Sequence, residues 1–454
     1  MTDSDQKQET AAIASGEAMT GSPIRPMREY LTHALRAAVE EREEQSDEAE
    51  LDIPLEAEAL LRDAVRENAT DLHLDTKADG LLVRMRVDGR VLDGAILTHE
   101  QGARLVNQFK AMARLSPITR YLPEEGRTTY ELEDQVLDLR LTHVPCLRGD
   151  KLSIRVLTLS MVSHQLNELG LCENGLEHIH EWLDNISGMF LVAGPTGSGK
   201  TTTLYALLHR LKLYERNVIT IEDPVEYEVD GINHMQIDER HGLGFSEGVK
   251  AMLHLDPDYM MLGEIRDKAS AHAAITAATS GHALMSTLHS RDAVGVIDTL
   301  HHYGLSGSEI SAGLILVIAQ RLVRRVCLHC REEVAPSQEE VSWLASLGRK
   351  APDRVWHANG CSHCKGSGYH GRIGVFEIWR IDSDEYQLIL ADTDRRTLYQ
   401  HLARRGHRFM LDDGLDKVEQ GVTTLSELRS MGGYSVLGAI DKQKRKKSKR
   451  QKKS

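Results

Sequence analysis

The chain has 454 residues, 41% hydrophobic and 27% charged, with a formal net charge of -13. That length exceeds one ordinary domain, and the apolar share is sufficient for two or three cores. The acidic balance excludes a protein that coats nucleic acid over its whole surface, and no run of about 18 apolar residues is present to cross a membrane.

Residues 1–53 are polar, rich in acid from Glu40 onward and poor in aromatics, a composition that predicts a mostly disordered segment. Within it Tyr30, Leu31, Leu35 and Val39 recur at helical spacing, which marks a helix over 22–44. The opening residues, Met1-Thr2-Asp3-Ser4-Asp5, carry neither a basic nor an apolar region, so no secretory signal is expected. A mixed α/β domain is expected over 54–160. It takes a helix at 57–66, strands at 81–87 and 90–97 across the Asp88-Gly89 turn, a helix at 101–115, and strands at 135–144 and 151–157. Over 165–325 short apolar strands at 189–193, 218–221, 259–262 and 283–287 alternate with helices, one at 267–280. That alternation predicts a mostly parallel sheet covered on both faces. Residues 326–375 hold two cysteine pairs, the pattern beyond Cys364 reads as helical to about Leu428 (a helical part over 376–435), and 436–454 form a basic tail.

The run Gly194-Pro195-Thr196-Gly197-Ser198-Gly199-Lys200-Thr201 is a phosphate-binding loop. Its glycines let backbone N–H groups face phosphate oxygens, Lys200 reaches the β/γ-phosphates, and the Thr201 hydroxyl suits Mg²⁺. The apolar residues before it read as a strand. The helix beginning at Thr202 presents its positive end to the phosphates. ATP and Mg²⁺ are therefore the expected ligands. Two further strands end in acid: Glu264 closes Met260-Met261-Leu262-Gly263, and Glu222, Asp223 and Glu226 follow Ile219-Thr220-Ile221. Carboxylates so placed beside a phosphate loop suit Mg²⁺ coordination and activation of water. His282 and His289 flank the strand at 283–287, and either is a candidate sensor of the γ-phosphate.

Six cysteines occur. Cys327/Cys330 and Cys361/Cys364 form two Cys-x-x-Cys pairs, the ligand set of a closed tetrahedral Zn²⁺ site. The loop between the pairs is longer than in ordinary zinc ribbons, so it must fold back on itself. Cys146 and Cys172 stand alone and are expected as small buried hydrophobes.

Together these motifs resemble the secretion ATPase superfamily, in particular the assembly ATPases of type II secretion and type IV pili. The phosphate loop is followed in family order by Thr220-Ile-Glu-Asp-Pro-Val-Glu226, by Gly263-Glu264-Ile265-Arg266-Asp267, and by Gly281-His282 through His289. Ala319-Gln-Arg-Leu-Val-Arg324 then leads into the first cysteine pair, and Ala69-Thr-Asp-Leu-His73 and Arg84-Met-Arg-Val-Asp-Gly89 match the preceding domain. The resemblance covers about residues 55–430. It implies a RecA-like nucleotide-binding domain preceded by a smaller PAS-like α/β domain, a tetracysteine zinc subdomain and a helical C-terminal part. It also implies Glu226 as the base that positions water, Glu264 as the Walker B acid, and Arg127, Arg140 and Arg155 as arginines reaching the nucleotide from the first domain. A homo-hexamer is implied, working at the cytoplasmic face of the inner membrane against a platform protein, with peripheral membrane association. His254 departs from the family's usual arginine, Glu124-Glu125 from its usual Gln-Asp, and the acidic segment is shorter than the docking domain of larger relatives. The competing function is a nucleic-acid translocase of a related system, supported by the basic run Lys442–Lys453. That run lacks aromatics for base stacking, so nucleic acid is not an expected partner.

Overall fold

Two sheets, each paired with its own helices, divide the chain. The computed structural model describes residues 31–44, 55–116, 122–158, 165–185, 187–211 and 215–432. The basic tail and residues 22–30 of the predicted first helix lie outside them.

The first sheet is antiparallel, with order β3-β2-β1-β6-β5-β4. Its strands are β1 (Asp71–Lys77), β2 (Gly80–Val87), β3 (Arg90–Leu97), β4 (Glu124–Leu132), β5 (Gln135–Cys146) and β6 (Gly149–Thr158). Strict alternation makes one face apolar. On β5, Leu137, Leu139 and Leu141 are buried while Asp138 and Arg140 point the other way. Helices α1 (His33–Glu44), α2 (Leu55–Arg66) and α3 (His99–Met112) supply the rest of that core. Asp88 and Gly89 both take positive φ, 49° and 81°, as a two-residue hairpin turn matching strand twist requires.

Residues 31–44, where the spacing of apolar residues predicts a helix, form part of this core. Leu35 and Val39 of α1, with Leu31 just before it, are buried, and the Asp63 carboxylate accepts from the Ala34 and Leu35 N–H groups at 3.0 and 2.9 Å. Three apolar residues one turn apart suffice here, despite the polar composition, because α2 offers a complementary face.

The second sheet has order β15-β12-β7-β11-β10-β8-β9. Its strands are β7 (Gly188–Ala193), β8 (Val218–Glu222), β9 (Asn233–Gln236), β10 (Tyr259–Ile265), β11 (Ala283–Leu288), β12 (Leu314–Val326) and β15 (Tyr369–Arg380). The short β13 (Arg331–Val334) and β14 (Val355–Ala358) pair apart from it. All neighbours in the sheet are parallel except β12 and β15. Both faces are covered, which is why these strands read as continuous apolar runs. Met189, Leu191 and Ala193 of β7 enter one core with α6 (Phe245–Leu253) and α7 (Lys268–Thr279). Phe190 and Val192 enter the other with α4 (Glu173–Asn185) and α5 (Lys200–Leu208). The stretch beyond Cys364 is not helical from its start: β15 crosses residue 375 and pairs along β12, Leu322 opposite Gly374. Four helices then follow, α11 (Ser383–Leu390) to α14 (Leu425–Met431), after α8 (Gly295–His302), α9 (Gly307–Gly313) and α10 (Gln338–Ser346).

The two halves meet through named contacts. Arg140 reaches Glu226, Lys365 pairs with Glu67, and the Gly371 N–H donates to Asp88 at 2.9 Å. Among the described residues no helix is long and apolar enough to cross a membrane.

Candidate functional site

A cleft of about 2320 Å³ lies between the two halves, and the phosphate loop forms its floor. The loop joins the carboxyl end of β7 to the amino end of α5. Gly194 has no room for a side chain: a Cβ there would lie 2.4 Å from Ser198 Oγ and 2.6 Å from the Gln320 carbonyl. Gly199 caps α5 at φ 86°, in the left-handed region glycine favours. Lys200 folds back over the loop and donates to the Gly194 and Pro195 carbonyls at 3.0 and 3.3 Å. Burial pushes its ammonium down to about 8, a cost that phosphate oxygens would offset. Ser198 Oγ is buried without a hydrogen-bond partner, and Thr201 and Thr202 line the cleft beside it. A cradle with an orphaned hydroxyl, a buried cation and a helix amino end fits a nucleotide triphosphate chain with its Mg²⁺.

The parallel sheet sorts the acidic and histidine candidates. Glu264 lies within a bulge, between Leu262 and Ile265, at the carboxyl end of β10. Its carboxylate lies 3.9 Å from His289 Nε2 and 3.9 Å from Arg266 Nη1. Arg266 also holds Asp223 at 3.0 Å and Glu239 at 3.1 Å, and stacks on Phe245. Glu222 is different: it is buried, and both its oxygens are engaged inside the protein, by Tyr205 at 2.6 Å and by Thr220 at 2.7 Å and His234 at 3.0 Å.

His282 lies away from the phosphate loop and, unlike His289, does not line the cleft. It precedes β11, and its carbonyl accepts from Gly188 N–H at the start of β7. That is the amino end of the sheet, a strand length of about 20 Å from the phosphate loop. Proximity in sequence to His289 suggested otherwise, but six residues of strand separate the two edges. His282→Ala should therefore leave kcat and KM for ATP within about twofold of the parent, and a large rise in KM in steady-state assays would contradict this placement.

The three arginines form a row. Arg127 on β4 sits opposite Arg140 on β5, and Arg140 opposite Arg155 on β6. The row continues to Asp71 on β1 and Arg86 on β2. Directly opposed residues share a face, so all five project from the side away from the helices. Arg127 grips Asp138 with two bonds of 3.0 Å, Arg155 lies 3.5 Å from Asp71, and Arg140 Nη2 crosses the cleft to Glu226 Oε2 at 2.6 Å. Asp138, which holds Arg127, was not singled out from the sequence; Asp71 and Gln320 lie inside the motifs at 69–73 and 319–324 but had no role of their own assigned. Gln320 braces the loop by donating to the Ser198 carbonyl at 2.6 Å and accepting from Thr203 at 2.8 Å. The signal for Asp138 is position: it stands two residues before Arg140, on the same face of a strand.

The four paired cysteines converge. β13 pairs with β14, and Val326 at the end of β12 sits opposite Tyr369, so two antiparallel pairings fold the long loop back. The sulfurs of Cys327 and Cys361 are 3.9 Å apart, Cys330 and Cys364 3.7 Å, and Cys361 and Cys364 3.8 Å. A tetrahedron with metal–sulfur bonds of about 2.3 Å has edges of about 3.8 Å. All four sulfurs lie within 4.8 Å of one another, and a bound cation is what would hold four thiolates that close together. Cys146 and Cys172 are exposed, contrary to expectation. Cys146 ends β5 at a hairpin tip and Cys172 precedes α4, positions with no core to enter.

Fold and site together define a P-loop ATPase whose nucleotide cleft is walled by a second domain. A family model described as Type II/IV secretion system protein matches residues 44–430, and the chain belongs to that family. It is 36% identical over 370 residues to the Type II secretion system ATPase E of Vibrio cholerae serotype O1, spanning 82% of this chain and 73% of that protein. It is likewise 36% identical over 370 residues to the type IV pilus assembly ATPase PilB of Thermus thermophilus, spanning 81% of this chain and 42% of that one. The solved ATPase DotB of Legionella pneumophila shares the fold, with a TM-score of 0.63 at 20% identity over 85% of this chain and 97% of that chain.

Proposed function

We propose that this chain is the ring-forming motor, six copies at the cytoplasmic face of the inner membrane, that turns ATP hydrolysis into assembly of a type II secretion pseudopilus or type IV pilus. The observation that carries the reading is the Arg140–Glu226 bond of 2.6 Å, which makes the nucleotide cleft the joint between two domains. Lys200 and the loop N–H groups bind the phosphates. Glu226 orients the attacking water, and Arg140, Arg127 and Arg155 face the charge that develops on the transferring phosphoryl. Thr201 and Glu264 would hold Mg²⁺, which when bound would neutralise charge on the β/γ oxygens. Because Arg140 and Glu226 lie on opposite walls, exchanging their bond for bonds to nucleotide moves one domain against the other. A platform protein in the membrane would receive that movement.

Weighing particles by mass photometry with a non-hydrolysable ATP analogue should give six chains, and turnover should be indifferent to single-stranded DNA. A monomer stimulated by DNA would replace this reading with a nucleic-acid translocase.

The cysteine tetrad is read as a structural Zn²⁺ site, one per chain. Structural zinc contributes on the order of 10 kcal/mol in small metal-folded domains. Cys361→Ser should therefore lose the metal and melt the region 326–375, seen as new proteolytic cleavage there. Elemental analysis of chelator-free protein finding no zinc would refute the assignment.

A further inference from the structure

One buried hydroxyl links the phosphate loop to the proposed catalytic loop. Tyr205 lies on α5, five residues after Lys200, and is fully buried. Its O–H donates to Glu222 Oε2 at 2.6 Å, and the same oxygen accepts from the Glu226 N–H at 3.3 Å. Burial and the neighbouring Glu222 carboxylate keep the phenol protonated, well above its usual range. Its ring also packs on Tyr227, centroids 4.4 Å apart. Glu222 is fixed in turn by Thr220 and by His234 Nδ1, whose other nitrogen accepts from Val229 N–H at 3.1 Å. The backbone of Glu226 thus hangs from α5 through a single oxygen, while its side chain faces Arg140 across the cleft.

We infer that Tyr205 is a positioning residue for hydrolysis, its hydroxyl setting the Glu226 loop against the phosphate-loop helix, with Glu222 acting through it rather than on the nucleotide. The inference rests on the proposed role of Glu226. Helix α5 starts at the phosphates, so the same rigid element that holds the γ-phosphate would fix the residue that aims water at it. Misplacing a reacting group by about 1 Å costs on the order of 100-fold in rate.

The test is a double-mutant cycle on the full chain. Tyr205→Phe removes the hydroxyl and keeps the ring. It should lower kcat about 10- to 100-fold, with KM for Mg·ATP and the affinity for a fluorescent ADP analogue unchanged. Glu226→Gln should be far slower still, and adding Tyr205→Phe to it should cost nothing more, because both act through one group. Tyr259→Phe removes another buried phenol hydroxyl of the same core, one that donates to the Leu183 carbonyl and touches neither Glu222 nor Glu226, and should leave kcat within about twofold of the parent. Unchanged kcat in Tyr205→Phe overturns the inference, as does a full additional loss in the Glu226→Gln background or an equal loss in Tyr259→Phe. Full activity of Glu226→Gln alone would instead overturn the reading of Glu226 on which it rests.

Discussion

Lys200→Ala should leave less than about a hundredth of the parent's ATP turnover, the scale of losing one contact to charge that develops in the transition state. The structure makes this substitution informative. Lys200 is held by the Gly194 and Pro195 carbonyls, with its stem buried in the loop it serves. Alanine removes the cation but leaves the backbone cradle, whose shape is set by Gly194, Gly199 and the Gln320 brace. Folding should therefore survive, seen as an unchanged circular dichroism spectrum and melting within a few degrees of the parent. Steady-state phosphate release is the assay. Normal turnover in a clean preparation would mean that the phosphate loop is not the site of chemistry.

The sequence carried most of this centre because each part announces itself locally. A strand, a glycine turn and a helix start lie within about twenty residues, and the acids of β8 and β10 sit at strand ends that apolar runs mark. What it could not show depends on pairing at long range. β15 pairs with β12 across some fifty residues, and its alternation is broken by Gly371 and Gly374, so nothing local separates it from the helices that follow. β4 buries only Leu132 along its length, so no apolar stripe betrays it. The roles of Glu222 and His282 were misleading for related reasons. Acid at a strand end looks alike whether it turns to solvent or inward to Tyr205. A histidine beside a strand looks alike at either edge until strand direction is known. The arginine row shows the converse: strands expected at 135–144 and 151–157 leave the register open, and the observed register puts Arg140 opposite Arg155.

Arg140→Ala should lower kcat by roughly 10³, the lower end of what an arginine at a transferring phosphoryl contributes in P-loop enzymes. The argument begins with charge. One lysine and one divalent cation face a transition state whose negative charge is spread over three equatorial oxygens, so a further cation is needed at the open side of the cleft. Each of the three arginines in the row has a carboxylate partner on its own sheet, Asp138 for Arg127 and Arg140 and Asp71 for Arg155, and Arg140 is the one with a bond across the cleft as well. Arg127→Ala and Arg155→Ala should accordingly cost less. Arg140→Lys should recover little, since an ammonium keeps the charge but not the planar fork that spans two acceptors. On the proposed reading each chain serves its own site. Arg140 reaches the Glu226 of its own chain, so mixing Arg140→Ala with Lys200→Ala protein should restore no turnover, because every chain in the mixture lacks half of its own centre. Restored turnover would assign the arginine to a neighbour's site. Arg140→Ala within about threefold of the parent would remove the first domain from the chemistry, and with it the proposed coupling of hydrolysis to domain movement.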